Sequence, residues 1–330
     1  MKKLFKILGY LVLIIVFVVG GLATYVKTVL PNVGDAPNLS VEKTAEKIER
    51  GRYLANSVSL CIICHSERDW TRYSGPIVAG TFGKGGEAFD QKAGLPGAFY
   101  SKNITPAGIG RYTDGELFRV ITTGVTKEGR ALFPLMPYSH YGKMDPEDIN
   151  CIIAYIRSLP SIQNTVQESV ADFPMNIIIN TIPAKAMPGK RPEPTSKEYG
   201  AYMVNASGCI ECHTRENHGQ IIPELAFSGG REFNFPDGSI LRSPNITPDK
   251  TTGIGNWTED MFVRKFKSYA DSNYKPQPIE KGGFNTVMPW TAYGKMTAED
   301  LSAIYKYLYE LPAQQNTVVR FTPAGAVAGK

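Results

Sequence analysis

The sequence predicts an all-α protein, two copies of one small helical domain in tandem behind an N-terminal transmembrane helix. Three observations lead to that class. Two C-x-x-C-H motifs occur, "CIICH" at 61–65 and "CIECH" at 209–213. The residues around them recur in the same order, which marks a duplicated unit. Residues 7–26, "ILGYLVLIIVFVVGGLATYV", carry no charge and match the ~20 residues a helix needs to cross a bilayer.

The first element, residues 1–30, is therefore expected to be a membrane anchor. A cleaved signal peptide is the alternative, with "GLA" at 21–23 as a small-x-small cleavage site, but its apolar region is typically ~7–15 residues. The uninterrupted length favours a retained span. Lys2, Lys3 and Lys6 precede it and Lys27 follows, so the N-terminus belongs in the cytoplasm and the rest beyond the membrane. In a bacterium this makes a single-pass inner-membrane protein whose domains face the periplasm. Residues 31–41, "PNVGDAPNLSV", read as a linker.

The repeated unit is expected at 42–160 and 195–313. "GRYLAN" (51–56) answers "GAYMVN" (200–205), "NITP" (103–106) answers "NITP" (245–248), and "MPYSHYGKM" (136–144) answers "MPWTAYGKM" (288–296). Each copy opens on a helix leading to its motif, the first capped by Ser40. A short middle helix follows, capped by Thr113 or Thr258. A final helix, "DPEDINCIIAYIRSL" or "TAEDLSAIYKYLYEL", shows apolar residues at helical spacing and stops at a proline. No alternating apolar run is long enough to require a sheet. Residues 161–194, with five prolines, read as a connector, and 314–330 as a loosely packed or frayed tail.

The motif has a chemical reading. Two thiols one helical turn apart add across the two vinyl groups of a haem, and the adjacent histidine projects beneath the ring toward iron. Cys61 and Cys64, and Cys209 and Cys212, are thus the expected attachment residues for two covalently bound haem c groups, with His65 and His213 as proximal ligands. The sixth position is expected to fall to methionine. Met144 and Met296 each precede a helix cap, at Asp145 or Thr297, and pair with Ile149 or Leu301 as a hydrophobic staple. That leaves Met136 and Met288, each held extended by a following proline, as axial ligands. Met175 and Met187 have no counterpart in the repeat.

Composition adds exclusions. Four of five cysteines lie in the motifs, so no disulfide framework is available. Cys151, matched by Ala303, reads as a small core residue. The chain has 36 basic against 31 acidic residues, but four lysines belong to the anchor, so the remainder is nearly neutral and no basic patch calls for nucleic acid. His140 and His218 have no counterparts and read as hydrogen-bonded or surface residues. Pro76 and Pro223 supply candidate carbonyls for the second ring nitrogen of each motif histidine.

The stretches "FYSKNITPAGIGRYT" and "GRALFPLMPYSHYGKMDPEDINCIIAYI" resemble the cytochrome c subunits of membrane-bound alcohol and gluconate dehydrogenases. "NITPDKTTGIGNWTEDMF" and "MPWTAYGKM" resemble them again. The resemblance implies class I cytochrome c domains, ligation by His65 with Met136 and His213 with Met288, and electron transfer in a respiratory chain. Those subunits typically carry three haem domains and anchor near the C-terminus; here two motifs follow an N-terminal span. The expected role is one-electron transfer, without catalysis, from a dehydrogenase or quinol-oxidising complex to a downstream cytochrome or terminal oxidase. The competing reading is a dihaem cytochrome c peroxidase, which needs one iron able to open a coordination position and distal acid–base groups. Both copies instead carry the same methionine loop.

Overall fold

The computed structural model describes residues 2–326; Met1 of the expected anchor and residues 327–330 of the expected tail lie outside the described residues. Helix α1 (Lys2–Thr28) covers the apolar stretch and buries none of its residues. After an extended linker, α2 (Ala45–Tyr53) passes through one π-turn at Leu54–Val58 into α3 (Cys61–Cys64). The cap of α2 is Thr44, whose hydroxyl accepts from the Lys47 N–H at 3.2 Å, and not Ser40. The chain between Ser40 and Thr44 is extended, with the Val41 N–H bound to Asp114.

The first half continues through β1 (Ala88–Phe89), β2 (Gly97–Tyr100), α4 (Pro106–Ile109), α5 (Asp114–Thr123), α6 (Tyr138–Tyr141) and α7 (Pro146–Ser158). The connector holds β3 (Val170–Ala171) and α8 (Met175–Ile178). The second half runs through α9 (Lys197–Ala206), α10 (Cys209–His213), β4 (Glu216–Asn217), β5 (Gln220–Ile221), β6 (Glu232–Asn234), β7 (Ile240–Arg242), α11 (Glu259–Lys267), α12 (Trp290–Tyr293), α13 (Ala298–Tyr309) and β8 (Phe321–Thr322). The expected caps form. Thr113 makes a capping box with Glu116, Thr258 accepts from the Met261 N–H, Asp145 from Glu147 and Thr297 from Asp300.

The fold is mainly helical but not all-α. Small antiparallel sheets β1–β2–β3 and β6–β7–β8 flank the helices, with a β4–β5 hairpin in the second half. Their strands are two to four residues long, too short to show period-two alternation. Their third strands come from the connector and the tail: Gly97 pairs with Ala171 and Leu241 with Phe321. The tail is accordingly ordered rather than frayed as far as β8. The loop asparagines tie down the same segments, Asn103 donating to the Ile162 carbonyl at 2.8 Å and Asn245 to the Gln314 carbonyl at 2.7 Å.

In each half the core centres on the crossing of the first and last helices. The backbones approach so closely that a Cβ on Gly51 would sit 1.8 Å from the Cys151 carbonyl oxygen, and one on Gly200 2.3 Å from that of Ala303. Only glycine permits this contact. Cys151 is buried at the crossing, as expected for a small core residue.

The halves meet through a reciprocal contact. The Tyr202 hydroxyl donates to the buried Asp148 carboxylate at 2.6 Å and accepts from the Asp145 N–H. The Tyr53 hydroxyl does the same in the opposite direction, donating to buried Asp300 and accepting from the Thr297 N–H. Each tyrosine thus reaches from one half's first helix to the cap of the other half's last. Support for the two carboxylates differs: Asp148 also binds Arg50 and Arg191, whereas Asp300 also binds the Tyr199 hydroxyl. Truncating a donor to a buried carboxylate costs roughly 1.5–3 kcal/mol. Tyr53→Phe and Tyr202→Phe should each lower stability toward urea, Tyr53→Phe by more, because Asp148 keeps two guanidinium partners and Asp300 only a phenol. Equal losses, or none, would show that the interface is held elsewhere.

Candidate haem sites

Each attachment turn begins with a residue in the left-handed region, Leu60 at φ 55° and Gly208 at φ 62°. This reversal ends the incoming helix and starts the short helix bearing the two thiols. The first thiol of each pair, Cys61 or Cys209, is half-buried, and the second, Cys64 or Cys212, is exposed. The spacing and the open side suit addition to two vinyl groups.

The two histidines are oriented alike. His65 Nδ1 lies 2.6 Å from the Lys102 carbonyl and His213 Nδ1 lies 2.9 Å from the Pro244 carbonyl. These contacts replace the carbonyls expected from Pro76 and Pro223; the Pro76 carbonyl accepts from the Asp69 N–H instead. The observed acceptors are the residues just before the repeated "NIT", a shared position that marks them in the sequence. A carbonyl partner makes Nδ1 the protonated nitrogen and leaves Nε2 with its lone pair, the form in which imidazole binds iron. Burial pushes both imidazoles below the ordinary histidine range, opposed by the carbonyl hydrogen bond, and so favours the neutral ligand form. Beside each turn a buried phenol donates to the backbone, Tyr141 to the Ser59 carbonyl and Tyr293 to the Ser207 carbonyl, both at 2.6 Å.

The four repeated methionines divide into two classes. Met144 and Met296 are each 1 % exposed and pack in the core with Ile149 and Leu301. Met136 and Met288 are half-buried at the core edge, on the loops entering α6 and α12. Cys61 and Cys64 lie in α3 with His65 just after it, and Met136 on the loop before α6; Cys209, Cys212 and His213 lie in α10, and Met288 on the loop before α12. Met175 lies in α8, and Met187 is exposed in the connector.

The halves also reach into each other's sites. His140, in α6 just after Met136, is buried, with Nδ1 2.9 Å from the Asn205 side-chain oxygen and Nε2 2.7 Å from Glu211 within the second motif. That hydrogen bond holds the Glu211 carboxyl below the usual range. Conversely, the Ser74 hydroxyl donates to the Met288 carbonyl at 2.6 Å, and the Trp290 N–H donates back to it. Nothing in the sequence flagged Ser74, because its partner lies in the other copy. His140 was visible only as the odd residue where the second copy has Ala292. His218 sits at φ 51° in the turn joining β4 to β5 and is exposed. His140→Ala should cost roughly 1–3 kcal/mol of stability, since it removes the imidazole partner of the Glu211 carboxylate and of the Asn205 side-chain oxygen. The loss should appear as a lower urea midpoint with covalent haem content unchanged; an unshifted midpoint would show the contact to be neutral.

The chain matches no known protein-family model. It is similar to the cytochrome c subunit of alcohol dehydrogenase (quinone) from Gluconacetobacter polyoxogenes, 29% identical over 282 residues that cover 80% of this chain and 56% of the relative. It is similar to the gluconate 2-dehydrogenase cytochrome c subunit of Pantoea cypripedii, 27% identical over 304 residues, 85% of this chain and 63% of the relative. A diheme cytochrome c-type protein of Cereibacter sphaeroides is 27% identical over 267 residues, 77% of this chain and 82% of the relative. The chain spans little more than half the length of the dehydrogenase subunits it matches. Its relatives are thus cytochrome c subunits of dehydrogenases and a diheme cytochrome, in agreement with the resemblance carried by the motifs.

Proposed function

We propose that the chain is a dihaem c-type cytochrome, tethered by α1 with both haem domains in the periplasm, that passes electrons singly from a dehydrogenase or quinol-oxidising complex to a downstream cytochrome or terminal oxidase. The observation that carries this reading is the duplicated attachment turn, in which each histidine has Nδ1 engaged by a carbonyl and Nε2 left for iron. Haem bound at such a turn supplies reversible one-electron storage. In this reading Cys61 and Cys64, with Cys209 and Cys212, would hold the two porphyrins, and His65 with Met136 and His213 with Met288 would ligate the irons. Thioether ligation raises the reduction potential, and two protein ligands leave no position for substrate. The dehydrogenase subunits among the relatives support an electron-transfer role rather than a catalytic one.

Haem content tests the attachment sites. Denatured protein should retain two covalent haems, and Cys61→Ala with Cys64→Ala should retain one; extraction of both haems by acid–acetone would refute the assignment. The methionines test the ligand set. Met136→Ala or Met288→Ala should open one iron, lower that haem's potential, abolish its share of the methionine–iron charge-transfer band and admit carbon monoxide to the reduced form. Met144→Ala and Met296→Ala should leave the spectrum unchanged and cost about 2–5 kcal/mol each, as expected for removal of a fully buried methionine. Loss of the charge-transfer band in Met144→Ala would reverse the assignment in that half. Carbon monoxide binding by the unsubstituted protein would favour the peroxidase reading.

A further inference from the structure

The connector between the halves carries an apolar segment that neither half covers. Residues 173–184, "FPMNIIINTIPA", contain no charged side chain. Phe173, just before α8, is 79 % exposed, and Ile178, the last residue of α8, 43 % exposed. The segment lies against α1: α8 and the following turn, Ile179–Thr181, both contact that helix. Within α1 only Ala23 and Val26 are half-buried, three residues apart on one helical face near its C-terminal end. The facing residues Met175, Ile177, Ile179 and Ile182 are half-buried too.

Depth along α1 follows from its geometry. At 1.5 Å per residue the charge-free stretch 7–26 is about 30 Å long, the thickness of the hydrocarbon core. Ala23 and Val26 then lie at its outer edge, and the connector segment is held at that level. Lys27 follows the span, and Lys185 and Lys190 follow the segment, all exposed. Basic residues in that position suit anionic phospholipid headgroups. An exposed apolar cluster beside a membrane helix, preceded by the exposed Asp172 and followed by Lys185, has the character of an interfacial membrane contact.

We infer that residues 173–182 form a second membrane contact, with Phe173 and Ile178 inserted at the boundary between headgroups and acyl chains of the outer leaflet beside α1. The inference rests on α1 being a retained anchor. It gives the haem-bearing halves a fixed stance on the membrane: residues 31–41 lead from α1 to α2 without regular structure, and the connector adds a second point of attachment.

The test uses the full chain in nanodiscs of phosphatidylethanolamine and phosphatidylglycerol, with single variants Phe173→Cys, Ile178→Cys and, as an exposed apolar reference in the second half, Val319→Cys. Labelling by a membrane-impermeant PEG-maleimide is followed with the unsubstituted chain as blank and detergent-denatured protein as full-labelling standard. The variants at 173 and 178 should label several-fold more slowly in discs than the variant at 319, and equally fast once denatured. If the chain stays with the discs but all three label alike, the second contact is overturned while the anchor stands. If the variants at 173 and 178 are shielded in native membranes yet label freely in discs, a protein covers the segment and the lipid assignment fails. If the chain leaves the lipid altogether, α1 is not an anchor and both readings fall.

Discussion

The crossing of the first and last helices of each half governs what surrounds it. Gly51 against Cys151 and Gly200 against Ala303 bring two backbones into contact where any side chain on the glycine would collide with a carbonyl. Close approach sets the direction in which α2 and α9 deliver the chain to the attachment turns. It also sets where α7 and α13 begin, just after the methionine loops. In the proposed role, residues scattered from Cys61 to Met136, and from Cys209 to Met288, would thereby be gathered around one haem in each half.

A second layer of organisation lies between the halves. Tyr53 and Tyr202 exchange hydrogen bonds with Asp300 and Asp148, so the interface is nearly two-fold symmetric although the chain is continuous. Burying a carboxylate is costly unless donors surround it, and here one donor to each, the tyrosine hydroxyl, is supplied only when the halves meet. The symmetry breaks near the sites. His140 reaches the second attachment turn, whereas the second copy has Ala292 in its place; Ser74 secures the backbone of Met288, with no matching side-chain bond to Met136 among the described residues. Two sites of one ancestral pattern therefore sit in different surroundings, and in the proposed role this is a physical basis for two haems of unequal potential, since hydrogen bonding and charge near the iron tune it.

Each copy of the duplicated unit is completed by the stretch of chain on its C-terminal side, the connector for the first half and the tail for the second. Each stretch adds a third strand to its half's sheet and receives the side-chain amide of the repeated "NIT" asparagine. The same connector then meets α1, so the segment that completes the first half also links it to the expected membrane span.

The sequence by itself determined the features that depend on neighbours along the chain. These are the duplicated attachment turns, the caps at Thr113, Asp145, Thr258 and Thr297, the division of the methionines by staple logic, the small residue at 151, and the charge-free N-terminal helix. Each is local because a cap, a turn or a periodic face involves residues a few positions apart. Only the tertiary structure decided the carbonyls that orient His65 and His213, the short sheets, the cap at Thr44, and the contacts of His140, Ser74, Tyr53 and Tyr202. Those partners lie 31 and 37 residues away for the two histidines and more than 200 for Ser74 and Tyr53. They are selected by which buried polar groups still lack a partner once the helices have packed. A serine or tyrosine carries no local mark of a bond completed that far along the chain.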